Sequence, residues 1–482
     1  MRGVLVQWVW QCDTIGVVPP MPLNRLLLAT ALALPVTAAG QSLDLARDLA
    51  KVELTAALDH PRILMPAKRS RLLMRERERE SLRWTQFNLL IAGKVDMPEK
   101  GFAYSLYYVA SQNKEQGRKA VDWALGPSGT DLRQLAIVYD WCQPLLTEAE
   151  RTRLTAKLQA ALEKAAAAQD FAAVRNRVLA AVALSGHVPG VEEKYVKPVL
   201  GPWWEKTVLA PIRAGGTPID PKDHYALFEM LHVVRDNFDI DLRETAAKHF
   251  TTLPVYHLMS HYPAPFPAAE NEYRVPLMKT HGEPDLREAV RSRAAALAMV
   301  AYDSNSQEMQ FLQGWLIQDR FLMRSAYGIP YEFLWANPYQ PGLSFHYLPN
   351  IFHDPVTGRL IIRSEWEDNA IWYFQAAGQI QLFEGGEIHN LKQEAMGKPL
   401  MMGNTVLLPA SLSAQFSIDT TEPAHYYLIG LKPDARYEIE VDDEELREVA
   451  TDHGGILKLD FPALRKAGVR LKLVRESSPK PA

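Results

Sequence analysis

Cysteine is nearly absent from this 482-residue chain, with only Cys12 and Cys142 present. Removal of a leader carrying Cys12 leaves no partner for an internal disulfide, so stability must come from packing. The Cys142 thiol sits in the apolar run Tyr139-Asp140-Trp141-Cys142 and reads as core rather than nucleophile. An excess of one charge is missing too. Lys plus Arg at 53 against Asp plus Glu at 57 gives −4, no footprint for a nucleic-acid partner or a membrane surface. No apolar run is long enough to span a bilayer comfortably. The Walker loop, the Gly-x-Gly-x-x-Gly turn, the Gly-x-Ser-x-Gly elbow and His-Glu-x-x-His are all absent, so nothing calls for a nucleotide, another cofactor, a common esterase site or a zincin metal.

What is present is ordinary for a folded protein. Hydrophobic residues make up 47% and charged residues 23%, which excludes a mainly disordered or fibrous chain. At roughly 150 residues per domain, the length predicts two or three domains with large cores. Met21, basic Arg25, the apolar stretch 26–34 and small Thr37, Ala38, Ala39 and Gly40 read as a secretory signal. Residues 1–40 are therefore expected to be a signal peptide behind an over-long start, with translation from Met21 and a periplasmic or secreted product.

From 43 to 335 the apolar spacing is helical, broken by Gly, Pro and Asn. Helices are predicted over 67–90, 132–145, 171–185, 193–212, 223–234, 241–261, 286–303 and 306–325, with another starting at Thr147, where Thr147 and Glu150 form a capping box. Roughly ten such helices on short loops pair as hairpins and curve into a solenoid or toroid. The run from Arg75 to Glu80 alternates in sign and reads as a solvated helix face. Beyond Pro338-Tyr339-Gln340-Pro341-Gly342 the pattern changes to short β-rich runs at 360–363, 370–376, 405–408, 414–418, 426–431, 437–441, 456–459 and 469–474. Turn signals separate them, as in an antiparallel sandwich. The expected division is a toroid over 41–337, a β-sandwich over 338–476 and a frayed tail over 477–482.

Several side chains suit sugar recognition. Trp203, Trp204, Tyr104, Tyr107, Tyr108 and Tyr273 could stack on pyranose rings. Arg274 stands beside Tyr273 in the same stacking set, and Arg235 could grip a uronate carboxylate in a fork, although it could equally pair with Asp239 or Asp241. His224 and His232 share one helix face. His257 and His261 at i and i+4, with His249 two turns back, are a weak metal pair.

Taken in order, several segments resemble the heparinase II/III-like polysaccharide lyases. Ile137-Val138-Tyr139-Asp140-Trp141 followed by Leu146-Thr147 is similar to that group's toroid, as is Asn176-Arg177 before the small-residue helix that follows. Gly215-Gly216-Thr217-Pro218-Ile219-Asp220 and then His224-Tyr225 resembles the segment presenting the catalytic tyrosine, and Arg363-Ser364-Glu365-Trp366 with Ala370-Ile371-Trp372 resembles the first strand pair of the β domain. The resemblance implies a lyase that acts on an acidic polysaccharide or oligosaccharide. Such an enzyme removes the proton at C5 of a 4-linked uronate and expels the C4 oxygen, which requires a donor on the carboxylate and a proton-transfer group. By position, Asn176 is the implied carboxylate neutraliser and Tyr225 the base and acid, with His224 beside it. Arg177, His232, Arg235, Tyr273, Arg274 and Trp204 are the candidate substrate contacts. Where the group carries a His-x-His-x-x-Asp-like run, this chain reads Phe383-Glu384-Gly385-Gly386-Glu387-Ile388-His389-Asn390. Only His389 is left as a second catalytic candidate, in a turn, and no metal site is expected.

Two other functions fit the same sequence. A glycoside hydrolase could use acids such as Asp220, Asp223, Glu229, Asp236 or Asp241. A lyase relative without its sandwich histidines could bind glycan without cutting it.

Overall fold

The computed structural model describes residues 53–474 apart from 57–58, 269–271, 279–281, 319–321, 377, 393–396 and 444. The expected signal peptide and the tail beyond 474 lie outside the described residues.

The N-terminal part is an (α/α) toroid. Six helices stand side by side and close a ring: Lys100–Ser111, Leu132–Trp141, Phe171–Leu184, His224–Phe238, Leu286–Tyr302 and Ile329–Trp335, the last returning to the first. Every residue of Leu132–Trp141 and of Ile329–Trp335 is buried, because these helices are covered on all sides by neighbours. Outer helices such as Lys114–Leu125 and Glu148–Lys164 pack behind them and keep an exposed face. Side-chain caps mark many starts. Asp131, Asp170 and Asp285 each accept from a backbone N–H of the first turn, and the predicted Thr147/Glu150 capping box forms in full.

Two of the expected helices are broken, and one charged run is packed differently. The predicted helix 67–90 is two, Ala67–Glu78 and Leu82–Ala92, because Glu80 turns left-handed and Ser81 caps a new start on Trp84 N. The alternating charge run is not wholly solvated, since Glu76 is buried at 2% exposure. The predicted helix 193–212 is a short helix Val191–Tyr195 followed by wide π-type turns Val199–Trp203 and Glu205–Leu209, with Pro202 inside the first. Proline removes an N–H from the ladder, and the backbone widens around it.

The C-terminal part stacks three sheets. One is five-stranded and antiparallel, β3 (Ile351–Asp354), β4 (Arg359–Arg363), β5 (Trp372–Ala376), β6 (Gln379–Glu384) and β7 (Glu387–Leu391) in sequence order; β1 (Phe266–Pro267) and β2 (Glu272–Tyr273) form a separate ribbon within the toroid. The second sheet runs Leu457–Phe461, Ala424–Ile429, Thr405–Pro409, Leu400–Met402, and the third Gln415–Thr420, Arg465–Leu473, Arg436–Val441, Glu445–Ala450. The sandwich is antiparallel except that Thr405–Pro409 and Ala424–Ile429 run parallel.

The middle sheet is covered on both faces. Leu407, Tyr427 and Ile429 pack with Leu360, Ile362 and Tyr373, whereas Val406, Leu408 and Leu428 pack with Ile439, Val441 and Val469. That explains why Thr405–Pro409 is buried at every position instead of alternating. The outer face of the five-stranded sheet joins the toroid core through Ile361, Trp372, Phe374 and Phe383. Trp372 Nε1 donates to Met259 O at 2.8 Å, and Tyr262 OH donates to Gln381 Oε1 at 2.8 Å, so the two parts are locked together by buried polar bonds as well as apolar surface.

Candidate active site

The inner helices turn a polar cluster toward the ring axis. Leu132–Trp141 contributes Arg133, Phe171–Leu184 contributes Arg175 and Asn176, and Ile329–Trp335 contributes Tyr331 and Trp335. Tyr225, Glu229 and His232, at i, i+4 and i+7 of His224–Phe238, form one inward stripe. Glu229 is fully buried and is the hub. It accepts from Arg133 Nε at 2.9 Å and Nη2 at 2.6 Å, from Arg175 Nη1, and from the Tyr225 hydroxyl at 2.5 Å. The Tyr225 oxygen in turn accepts from Trp335 Nε1 at 3.1 Å and Arg133 Nη2 at 3.2 Å. On the far side of Arg133, Tyr331 OH donates to Glu99 Oε2 at 2.5 Å, and Arg133 Nη1 lies 3.8 Å from Glu99 Oε1 without a hydrogen bond.

Electrostatics fixes the protonation states. Burial works to raise the Glu229 carboxyl, but Arg133 and Arg175 outweigh it and hold the group below the usual carboxylate range. Burial first, then the Glu229 charge, pushes the Tyr225 phenol well above its ordinary value, so Tyr225 rests protonated and donates to Glu229.

Asn176 is half-buried at the edge of this cluster. Its Oδ1 accepts from Arg175 Nε at 2.7 Å; because guanidinium N–H only donates, the facing atom is the oxygen and the Nδ2 donor turns outward. The two residues implied as catalytic, 49 positions apart in sequence, are thus joined by Asn176–Arg175–Glu229–Tyr225.

The remaining candidates are placed differently. His224 points away from Tyr225, with Nδ1 2.9 Å from His257 Nδ1, and burial followed by His249 and His261 lowers it to about 3. His257 is therefore engaged with His224, while His261 meets His257 O and Ser292 Oγ at 2.8 Å each, so the i, i+4 pair does not converge. Among the described residues no group of three or more His, Cys, Asp or Glu could hold a metal ion. His232 contacts Ala298 O through Nε2 at 3.0 Å and packs on Trp335. Arg235 pairs with Asp236 at 2.8 Å and donates to Tyr302 O, rather than pairing with Asp239 or Asp241.

Arg177, expected at the substrate, is buried against the carbonyls of Ala165, Ala166 and Ala168, where it closes the end of Glu148–Lys164. Trp204 is buried, stacks on Phe250 and donates to Thr245 Oγ1 at 3.0 Å, so it offers no ring face to a sugar. Tyr273 is buried at 1% exposure in β2. Arg274 reaches Asp368 at 2.8 Å at the toroid–sandwich junction. His389 is exposed on β7, opposite Leu382, and not in a turn; Gly385 and Gly386, both with positive φ, make the turn before it. Cys142 is buried, and burial raises its thiol to about 12.

Sequence reasoning missed Arg133, Arg175, Tyr331 and Trp335, and weighed Glu229 only as a hydrolase acid. Signals were there: Glu229 lies one helical turn from Tyr225, and Arg133 is the only charged residue before Asp140 in an otherwise apolar helix.

No family model and no curated protein matches the chain. Among solved structures it is similar to the heparan sulfate lyase HepC of Pedobacter heparinus, at 12% identity and a TM-score of 0.36, over 78% of this chain and 76% of that one. It is also similar to a glycoside hydrolase, at 8% identity and a TM-score of 0.27 over 84% and 75%, and to a β-arabinofuranosidase, at 10% and 0.20 over 88% and 80%. Among the described residues no helix is long and apolar enough to cross a membrane.

Proposed function

We propose that the protein is an exported lyase that cleaves a uronate-containing polysaccharide or oligosaccharide by β-elimination at the Tyr225 cluster. The observation that carries this reading is the hydrogen-bonded path from Asn176 to Tyr225 through Arg175 and Glu229. The outward Nδ2 of Asn176 would meet the uronate carboxylate and stabilise charge as the C5 proton leaves. The Tyr225 oxygen takes that proton while its own passes to Glu229. The C4–oxygen bond breaks, and as Glu229 returns its proton, Tyr225 protonates the leaving oxygen. Glu229 is a poor acceptor while Arg133 and Arg175 hold it, and a substrate carboxylate bound nearby at Asn176 would raise its proton affinity, favouring the transfer when substrate is bound. His389 is the remaining sandwich candidate, and export follows the Met21 to Gly40 pattern.

Hydrolysis is less favoured, because Asp220, Glu229, Asp236 and Asp241 each pair with an arginine, namely Arg359, Arg133, Arg235 and Arg243. The test is ultraviolet absorbance of the C4–C5 unsaturated sugar, with protein from residue 41 onward and a panel of uronate polysaccharides. Reducing ends without absorbance would transfer the assignment to hydrolysis, and neither signal would leave glycan binding.

A further inference from the structure

A polar cavity, about 150 Å³, lies where the toroid meets the five-stranded sheet. Its lining includes His261, Arg274, Trp315, Arg363, Trp366 and Asp368. Arg363, at the end of β4, is 4% exposed. Its Nη1 donates to His261 O at 3.1 Å, its Nε to Glu365 O at 3.4 Å, and its guanidinium lies 4.7 Å from the Trp366 ring centroid. Among the described residues Nη2 makes no hydrogen bond and no carboxylate stands within ion-pair distance. Burial, then the neighbouring Arg274, lowers this guanidinium to about 9, against the opposing pull of Asp368. Among the described residues this buried cation is held by neutral carbonyls and a ring, without the anion that normally compensates lost hydration.

The mouth supplies a second cation. Arg274 donates to Pro263 O and pairs with Asp368, whose side chain is 62% exposed, so it is the carboxylate of this pair that a competing anion can displace at small cost. The other charged groups do not block the floor. Glu367 faces His346 at 3.7 Å, and the His261 ring nitrogens are engaged by His257 O and Ser292 Oγ.

We propose that this cavity binds one oxyanion group, a carboxylate or sulfate, held by Arg363 Nη2 below and attracted by the Arg274 charge at the mouth. Trp315 and Trp366 in the lining suit a sugar ring carrying that group. The site stands on Arg363 and Arg274, independently of whether Tyr225 turns over a glycan, and binding is read separately from elimination.

Isothermal titration of the mature chain at constant ionic strength, with sodium sulfate, sodium glucuronate, N-acetylglucosamine 6-sulfate and uncharged glucose, tests it. Binding of the charged ligands but not glucose is expected. Tighter binding of the sugar anions identifies a glycan subsite, and preference for sulfate itself identifies a free-anion site; either supports the proposal. D368N should tighten binding several-fold by removing a competing carboxylate, while R274Q and R363K, which lose the mouth cation or the Nη2 donor, should weaken it by about tenfold. D368N and R274Q sit at the mouth, so the test survives if R363K fails to fold. Affinities no better than chloride, or unchanged in D368N and R274Q, would overturn the proposal.

Discussion

The Tyr225 hydroxyl donates to Glu229, four residues further along the same helix, at 2.5 Å, while two arginines grip the same carboxylate. One buried anion therefore both neutralises Arg133 and Arg175 and keeps the phenol protonated at rest.

Tyr225→Phe should reduce elimination by about 100-fold or more, the usual scale of a lost proton-transfer group. Trp335 Nε1 also loses its acceptor, at a cost of about 1–3 kcal/mol. Product absorbance measured beside the melting curve separates the two effects, and full activity in the variant would exclude Tyr225 from the chemistry.

Glu229→Gln should destabilise the toroid by about 3–5 kcal/mol, because two buried guanidinium groups lose their anion. Urea unfolding measures it. A loss under about 1 kcal/mol would mean that water reaches Arg133 and Arg175 in the folded state.

Acid should weaken the fold below about pH 6.5. Burial first lowers His224 to about 3, His261 to about 4, and His232 and His257 well below 6.5. Their folded values lie under the unfolded one, so the unfolded chain binds more protons as pH falls. Stability is complete above about 6.5 and is lost toward the folded values, by up to about 1.4 kcal/mol per pH unit for each histidine. Urea midpoints that stay level from pH 7 to pH 5 would contradict this.

Gly314→Ala should lower the melting temperature even though alanine usually gains up to about 1 kcal/mol in a helix. A Cβ on Gly314 would stand 1.8 Å from Leu343 O, where the interdomain segment lies on Gln307–Gln318 and Leu343 N donates to Gln310 O at 2.8 Å. Calorimetry decides the sign.

The helical-to-sheet change near 338, the capping box at Thr147 and most strand positions were legible because each depends on periodicity or on partners a few residues apart. The break at Glu80, the π-type turns around Pro202 and the hairpin β6–β7 were not. Continuous apolar spacing hides a one-residue left-handed turn, and Gln379–Glu384 reads as strand only once Trp372–Ala376 pairs beside it.

By itself the sequence determined two architectures and a chain held without disulfides, and it pointed to Asn176 and Tyr225 through a resemblance carried by short motifs. Only the tertiary structure decided that Arg133, Arg175 and Glu229 join those two residues, that Arg177 is buried on backbone carbonyls and Trp204 on Phe250, and that Arg363 and Arg274 meet at one cavity. The reason is physical: local spacing sets which face a side chain takes on its own helix or strand, while charge pairing and burial depend on what the closed ring and the docked sheet bring opposite it.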